Sequence, residues 1–167
     1  MRLAVEIEDR RGEAIARLFL GILLWEASLP EAAAMLAKAG ELAVEMGLNR
    51  VEAVSRSIHA RMHREAGRIP EALELSDRAM ELLEKFGAEL SDRIVITATH
   101  ALVLRTDGEE KEATDLESRL RDRLRKETAR IRSPLLRMRH QRASERLLAA
   151  ALSPEGPVYP RVRESGP

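Results

Sequence analysis

The chain has 167 residues, of which 44% are hydrophobic, 34% charged and only 2% aromatic, and its formal net charge is zero. The aromatic content is too low for most β-sandwiches, whereas the abundant Ala, Leu, Glu and Arg are good helix formers. The absence of cysteine excludes disulfide frameworks and thiolate metal sites. We expect an all-α cytoplasmic domain with no membrane partner, because no apolar run could span a bilayer and acids interrupt the start of the chain.

An internal repeat of about forty residues organises the chain. Leu29-Pro30-Glu31-Ala32 returns 40 positions later as Ile69-Pro70-Glu71-Ala72, and Glu112-Ala113 keeps the last two letters. A fixed period of this size is typical of a solenoid, in which one supersecondary unit stacks on the next. Because such stacks present extended binding surfaces, the period favours binding over catalysis.

The N-terminal segment departs from this pattern. Residues 1–11 match the end of a preceding repeat helix whose partner is absent, and the helix predicted over 12–27 is apolar nearly all round. A helix of that kind must be covered on several sides. We therefore predict a homodimer or the docking of a missing domain through this helix. The predicted self-association residues are Ile15, Leu18, Phe19, Ile22 and Leu23.

Three helix pairs follow the repeat, and they cover residues 12–47, 48–87 and 88–132. Pro30 and Pro70 stand at the first position of a second helix, where the missing N–H costs nothing. Gly47 and Gly87 stand where a left-handed C-terminal cap belongs. The small residues predicted to be buried where helices cross are Ala32, Ala72 and Ala79.

The C-terminal part is predicted to close the stack. Ser133-Pro134 is a strong start signal, with Ser as N-cap and Pro just inside the helix, so we predict a capping helix over 133–152. Residues 153–167 contain four prolines and two glycines, and we predict that this tail is disordered.

The repeat resembles the tetratricopeptide repeat (TPR) superfamily, whose motif has a Gly-containing turn, a second helix opening with Glu-Ala and a small residue seven positions later. The second unit supplies Gly67, Glu71-Ala72 and Ala79, whereas the third has Leu120 at the small position. The ordinary repeat has 34 residues. A period of 40 to 41 is similar to the extended arrays of bacterial signal-transduction ATPases, transcriptional activators and Ser/Thr kinases.

The resemblance implies a superhelix of antiparallel helix pairs that acts as a non-enzymatic scaffold and binds a protein or peptide within a bacterial signalling or transcription-regulatory system. It also implies an inner binding groove, lined by first-helix positions off the packing face. These positions are Arg17, Trp25, Ser57, Arg61, Arg64 and Arg105. Guanidinium groups pair bidentately with carboxylates, so the partner is predicted to be acidic. The alternative is a solvated, arginine-rich face with Trp25 in the core.

Three histidines leave several interpretations open. His59 and His63 have the i, i+4 spacing that can chelate a metal, and His100 is equivalent to His59 one repeat later. No Asp or Glu completes the set, so we predict no metal and no other cofactor, and favour polar packing or an effect of pH. No nucleophile–base pattern or phosphate-binding glycine loop is recognisable, so we predict that the protein is not an enzyme.

Charge is spread unevenly along the chain. Residues 119–146 contain 11 Lys and Arg against 3 Asp and Glu, whereas residues 1–118 contain 15 against 23. Such charge suffices for phosphate binding, but this stretch has no aromatic residue for base stacking and no helix-turn-helix or zinc signature. A nucleic-acid-associated regulator is therefore the third hypothesis. It ranks behind the protein-binding scaffold and behind a structural fragment of a larger multidomain regulator that self-associates through its first helix.

Overall fold

The structure is a computed structural model that describes residues 2–154, with side chains from residue 9 onward. All regular structure within this range is α-helical. The seven helices of the described chain are α1 (Arg2–Glu26), α2 (Ala32–Glu45), α3 (Asn49–Glu65), α4 (Ile69–Phe86), α5 (Leu90–Asp107), α6 (Glu110–Ala129) and α7 (Pro134–Leu152). The predicted tail lies outside the described residues, except for Ser153 and Pro154.

The local signals for helix starts and ends agree with the structure from α2 to α7. Ser133 caps α7, and its hydroxyl accepts a hydrogen bond from the backbone N–H of Leu136 at 3.5 Å. Gly47 and Gly87 follow α2 and α4 with φ of 63° and 71°, a backbone conformation that favours glycine. Pro30 is the exception, because α2 begins two residues later, at Ala32.

The N-terminal segment differs from the prediction. Residues 1–11 and 12–27 are predicted as separate helices, but α1 runs without interruption from Arg2 to Glu26. Gly12 lies inside this helix with open space around it. A glycine in a helix interior costs only about 1 kcal/mol relative to alanine, so it does not end a helix without further capping signals.

Helices that are consecutive in the chain pack against each other, and the odd-numbered helices form a second series of contacts. In that series α1 packs on α3, α3 on α5, and α5 on α7. By contrast, no Cα atom of α2, α4 or α6 lies within 8 Å of another even-numbered helix in the described chain. The odd-numbered helices therefore form one continuous layer, and the even-numbered helices pack against it without contacting one another.

The core runs along α3 and α5. Ala32, Ala72 and Ala79 are fully buried, as predicted. Gly21 has a similar role, because a Cβ atom at this position would lie 2.7 Å from Cγ of Leu36. Close approach between α1 and α2 therefore requires a glycine there. None of the described helices combines the length and the apolar character that a membrane crossing requires.

Candidate functional site

The predicted inner groove is occupied by the chain itself. Ser57 and Arg61 are fully buried, and the side chain of Arg61 reaches the C-terminal end of α7. Arg61 Nη1 donates to the carbonyl oxygen of Ala151 at 2.8 Å, and Nη2 donates to that of Ser153. The last carbonyls of a helix have no N–H partner within the helix. The guanidinium group supplies those partners.

Arg64 and Trp25 complete this cluster, which we call the α7 anchor. Arg64 Nη2 donates to the carbonyl oxygen of Pro154 at 2.7 Å. Arg61 Cζ lies 5.6 Å from the ring centroid of Trp25, whose Nε1 donates to Glu65 Oε2 at 3.1 Å. Burial lowers the pKa of Arg61 to about 10, so this side chain remains a cation at neutral pH.

The two other arginines of the predicted groove lie apart from the α7 anchor. Arg17 Nε donates to Glu13 Oε1 at 2.8 Å. Arg105 pairs with Glu110 at 3.0 Å and with Glu117 at 2.8 Å. The six predicted positions therefore do not form one open groove. Arg61 and Arg64 bind carbonyl groups at the end of α7, Trp25 contacts Arg61 and Ser57 is buried. Arg17 and Arg105 are paired with acids elsewhere.

The predicted self-association residues are divided between the core and the surface. Leu18 and Ile22 are buried, whereas Ile15, Phe19 and Leu23 are 39%, 59% and 63% exposed. The three exposed side chains are spaced i, i+4, i+8, so they share one side of α1. We call this side the α1 apolar face. It is narrower than predicted because α2 and α3 already cover the side with Leu18 and Ile22.

The histidines do not assemble a metal site. The rings of His59 and His63 are 4.8 Å apart, but the described side chains, from residue 9 to residue 154, include no group of three or more His, Asp or Glu residues that could bind a metal ion. His100 lies elsewhere: its Nδ1 is 2.9 Å from Ser76 Oγ, and its Nε2 is 3.7 Å from Asp77 Oδ1.

Ser76, His100 and Asp77 have the composition of a hydrolase triad, which the sequence pattern did not reveal. A catalytic nucleophile must be open to its substrate, but Ser76 is only 1% exposed. Its hydroxyl also lies 3.1 Å from the carbonyl oxygen of Leu73. We interpret this arrangement as a polar bridge between α4 and α5.

An open groove of about 600 Å³ lies between α4 and α6, over the start of α5. We call it the α4–α6 groove. Its apolar lining comes from both walls, and Thr97 and Arg93 of α5 form the floor. Leu83 and Leu120 are buried, while Met80 and Leu116 remain partly exposed. The apolar lining residues are Met80, Leu83, Leu116 and Leu120.

The charges of this groove are unbalanced. Five cations line it, namely Arg93, Arg119, Arg123, Lys126 and Arg130, against the acids Glu84, Asp122 and Glu127. Arg123 pairs with Glu127 at 3.1 Å. The side chains of the other four cations form no ion pair or hydrogen bond with any residue of the described chain. Burial lowers the pKa of Arg93, Arg123 adds to this effect, and Glu127 opposes it.

The basic stretch 119–146 does not form one surface. Arg119, Arg123, Lys126 and Arg130 line the α4–α6 groove, whereas Arg121 and Arg125 line a separate groove between α6 and α7. Helical spacing predicts the first stripe, since its members lie three or four residues apart. The opposing wall was beyond prediction, because it depends on how α4 and α6 are both placed on α5.

Comparisons of the chain with protein-family models, with curated proteins and with solved structures find no match. Function is therefore inferred from the described side chains and their surroundings.

Proposed function

We propose that the protein is a non-enzymatic scaffold that binds an acidic segment of another protein in the α4–α6 groove. The observation that supports this is the presence there of four cations without an acidic partner in the described chain. Like charges gathered on one surface repel one another. A ligand that supplies carboxylates both relieves this repulsion and forms charge-assisted hydrogen bonds, which are the stronger ones.

The composition of the groove favours a protein over a nucleic acid. No aromatic side chain lines the groove, so bases would have no surface on which to stack. Glu84, Asp122 and Glu127 stand among the cations and would repel a continuous phosphate backbone. A protein segment can place separate carboxylates opposite the cations and apolar side chains near Met80 and Leu116.

We further propose that α1–α6 are three TPR-like helix pairs with α7 as the cap, in a bacterial signalling or regulatory protein. The series of contacts among the odd-numbered helices supports this assignment. In arrays of this kind stability comes from contacts between neighbouring repeats. Here the first helices of the pairs supply these contacts, so the second helices can leave an open groove between them.

The test uses a fluorescent, disordered peptide rich in Glu, Ser and Gly, followed by fluorescence anisotropy. The double variant Arg119→Glu/Lys126→Glu should weaken binding at least about tenfold, since each exposed charge pair contributes up to about 1 kcal/mol. The matched control is Arg139→Glu/Arg142→Glu, which reverses two exposed charges on α7 outside the groove. Equal affinity for the first variant and the unaltered protein would contradict the proposal.

A duplex DNA titration separates the third hypothesis from this one. If DNA binds more tightly than the acidic peptide, and Arg119→Glu/Lys126→Glu weakens DNA binding, the α4–α6 groove is a nucleic-acid site instead.

The α1 apolar face supports a second candidate function, which is self-association. Phe19 and Leu23 are large apolar side chains with more than half of their surface exposed, and their burial against a second copy would be favourable. Light scattering at tens of micromolar tests this candidate: Phe19→Ser/Leu23→Ser should convert a dimer to a monomer. A monomer for the unaltered chain would rule it out.

A further inference from the structure

The walls of the α4–α6 groove offer side chains but no backbone partners. Along α6 the lining extends from Leu116 to Arg130, which is about 21 Å at 1.5 Å per residue. The opposing wall and most of the floor are also formed by helices, whose backbone groups are bonded within the helix. An extended peptide in this groove would leave its own N–H and C=O groups without partners. A helical peptide forms those backbone hydrogen bonds within itself.

The cations of α6 follow a helical spacing. Arg119, Arg123, Lys126 and Arg130 are separated by four, three and four residues, or about 6, 4.5 and 6 Å along the helix axis. If the acids of a second helix beside α6 have the same spacing, they lie at the same distances along its axis and can stand opposite these cations. Its neighbouring side can then present apolar residues to Met80 and Leu116.

We propose that the partner segment is an amphipathic α-helix of about four turns, with acids spaced i, i+4, i+7, i+11 toward α6 and an apolar stripe toward α4. This inference rests on the proposed function and specifies the partner of the same groove. Helix-in-groove recognition uses anchors of this spacing. The length follows from the stretch of α6 that lines the groove.

Arg93 makes the floor selective. It is partly buried between the two walls and forms no ion pair or hydrogen bond with an acid of the described chain, although the charge of Glu127 acts on it. A carboxylate from the central turn of a bound helix would reach this floor, whereas a disordered acidic chain held by the exposed rim would not. Arg93 therefore contributes more to a helical ligand than to a disordered one.

The experiment compares three fluorescent peptides of 14 residues with matched charge. The first has Glu at positions 1, 5, 8 and 12, Leu at positions 2, 6, 9 and 13, and Ala or Gln elsewhere. The second is a scramble of the same composition, and the third carries a central proline. The first should bind at least about tenfold more tightly than the others, because only it forms both stripes on a helix. Far-UV circular dichroism should show that it gains helix on binding.

Variants of the full chain complete the test, and a thermal melt of each verifies that it is folded. Arg93→Met should weaken binding of the first peptide about fivefold, whereas Arg139→Met, at an exposed position of α7 outside the groove, should not. If all three peptides bind equally and Arg119→Glu/Lys126→Glu abolishes binding, the helical partner is wrong and the acid-binding function stands. If no peptide responds to that double variant, both fail.

Discussion

The α7 anchor and the α4–α6 groove place the same kind of side chain in opposite situations. Arg61 and Arg64 lie on α3 and donate to carbonyl groups at and just beyond the C-terminal end of α7. Arg119 and Lys126 lie on α6, also in a helix, but they form no ion pair or hydrogen bond with the described chain. The local sequence around an arginine therefore does not decide whether it stabilises the fold or remains available to a ligand. The outcome depends on whether another segment of the chain packs over that arginine.

The largest expected effect concerns the anchor. Arg61→Met keeps much of the side-chain length but removes the donors to Ala151 and Ser153. Hydrogen bonds to charged groups contribute about 1.5–3 kcal/mol each, so the two bonds together contribute about 3–6 kcal/mol. Because the substitution also removes the desolvation cost of a buried cation, the free energy of unfolding should fall by about 2–4 kcal/mol. Urea unfolding followed by circular dichroism measures this. A change below about 0.5 kcal/mol would mean that α7 does not depend on Arg61.

Salt should weaken peptide binding in the groove but should leave the stability contributed by the α7 anchor almost unchanged. Binding of an acidic peptide to the groove depends on exposed charge, so raising the salt concentration from 0.05 to about 0.5 M should weaken it about tenfold or more. The contribution of Arg61 to stability should change little, because a buried interaction is screened much less. Anisotropy and urea titrations at both salt concentrations provide the comparison. Salt-independent binding would mean that apolar contacts dominate in the groove.

Lowering the pH should reduce the stability of the fold but should not change the affinity of the groove for the acidic peptide. Burial lowers the pKa values of His59, His63 and His100 below their ordinary 6.5, so the unfolded chain binds protons before the folded chain does. Stability is therefore complete above pH 6.5 and should decline as the pH falls below it. Unfolding at pH 7.5, 6.5 and 5.5 measures this decline, which His59→Gln/His63→Gln should reduce. No histidine lines the groove, so affinity for the acidic peptide should be constant over the same range.

The smallest expected effect has the opposite sign to the first. Lys126→Met removes a cation that has no partner in the described chain and stands among like charges. Surface substitutions of this kind usually change stability by less than about 0.5 kcal/mol, and relief of repulsion should make the change neutral or slightly stabilising. A loss above about 1 kcal/mol in urea unfolding would show that Lys126 supports the fold.

Local signals predicted the helices well. The cap at Ser133 and the buried alanines Ala32, Ala72 and Ala79 were read correctly from the sequence, because each depends on residues a few positions apart. The continuity of α1 differs from the prediction, because residues 1–11 match the end of a preceding repeat helix but the helix continues past them to Glu26.

Contacts between distant elements were beyond prediction. Arg61 and Ala151 are 90 residues apart, and their meeting depends on the angles of every helix between them. The sequence therefore predicts a ligand at Arg61 and Arg64 of α3, where the structure has the end of α7. Likewise, the stripe on α6 was recognisable, but its opposing wall was not.

The absence of contact between α4 and α6 gives the interior of the protein a direct influence on selectivity. The distance between the two walls is set by how α4 packs on α3 and α5 and by how α6 packs on α5 and α7. Thr97 lies on α5 at the floor of the groove, so a larger residue there makes the groove shallower and a smaller one makes it deeper. A single core position can thus change which partner side chains fit, while the charged residues that attract the partner remain the same.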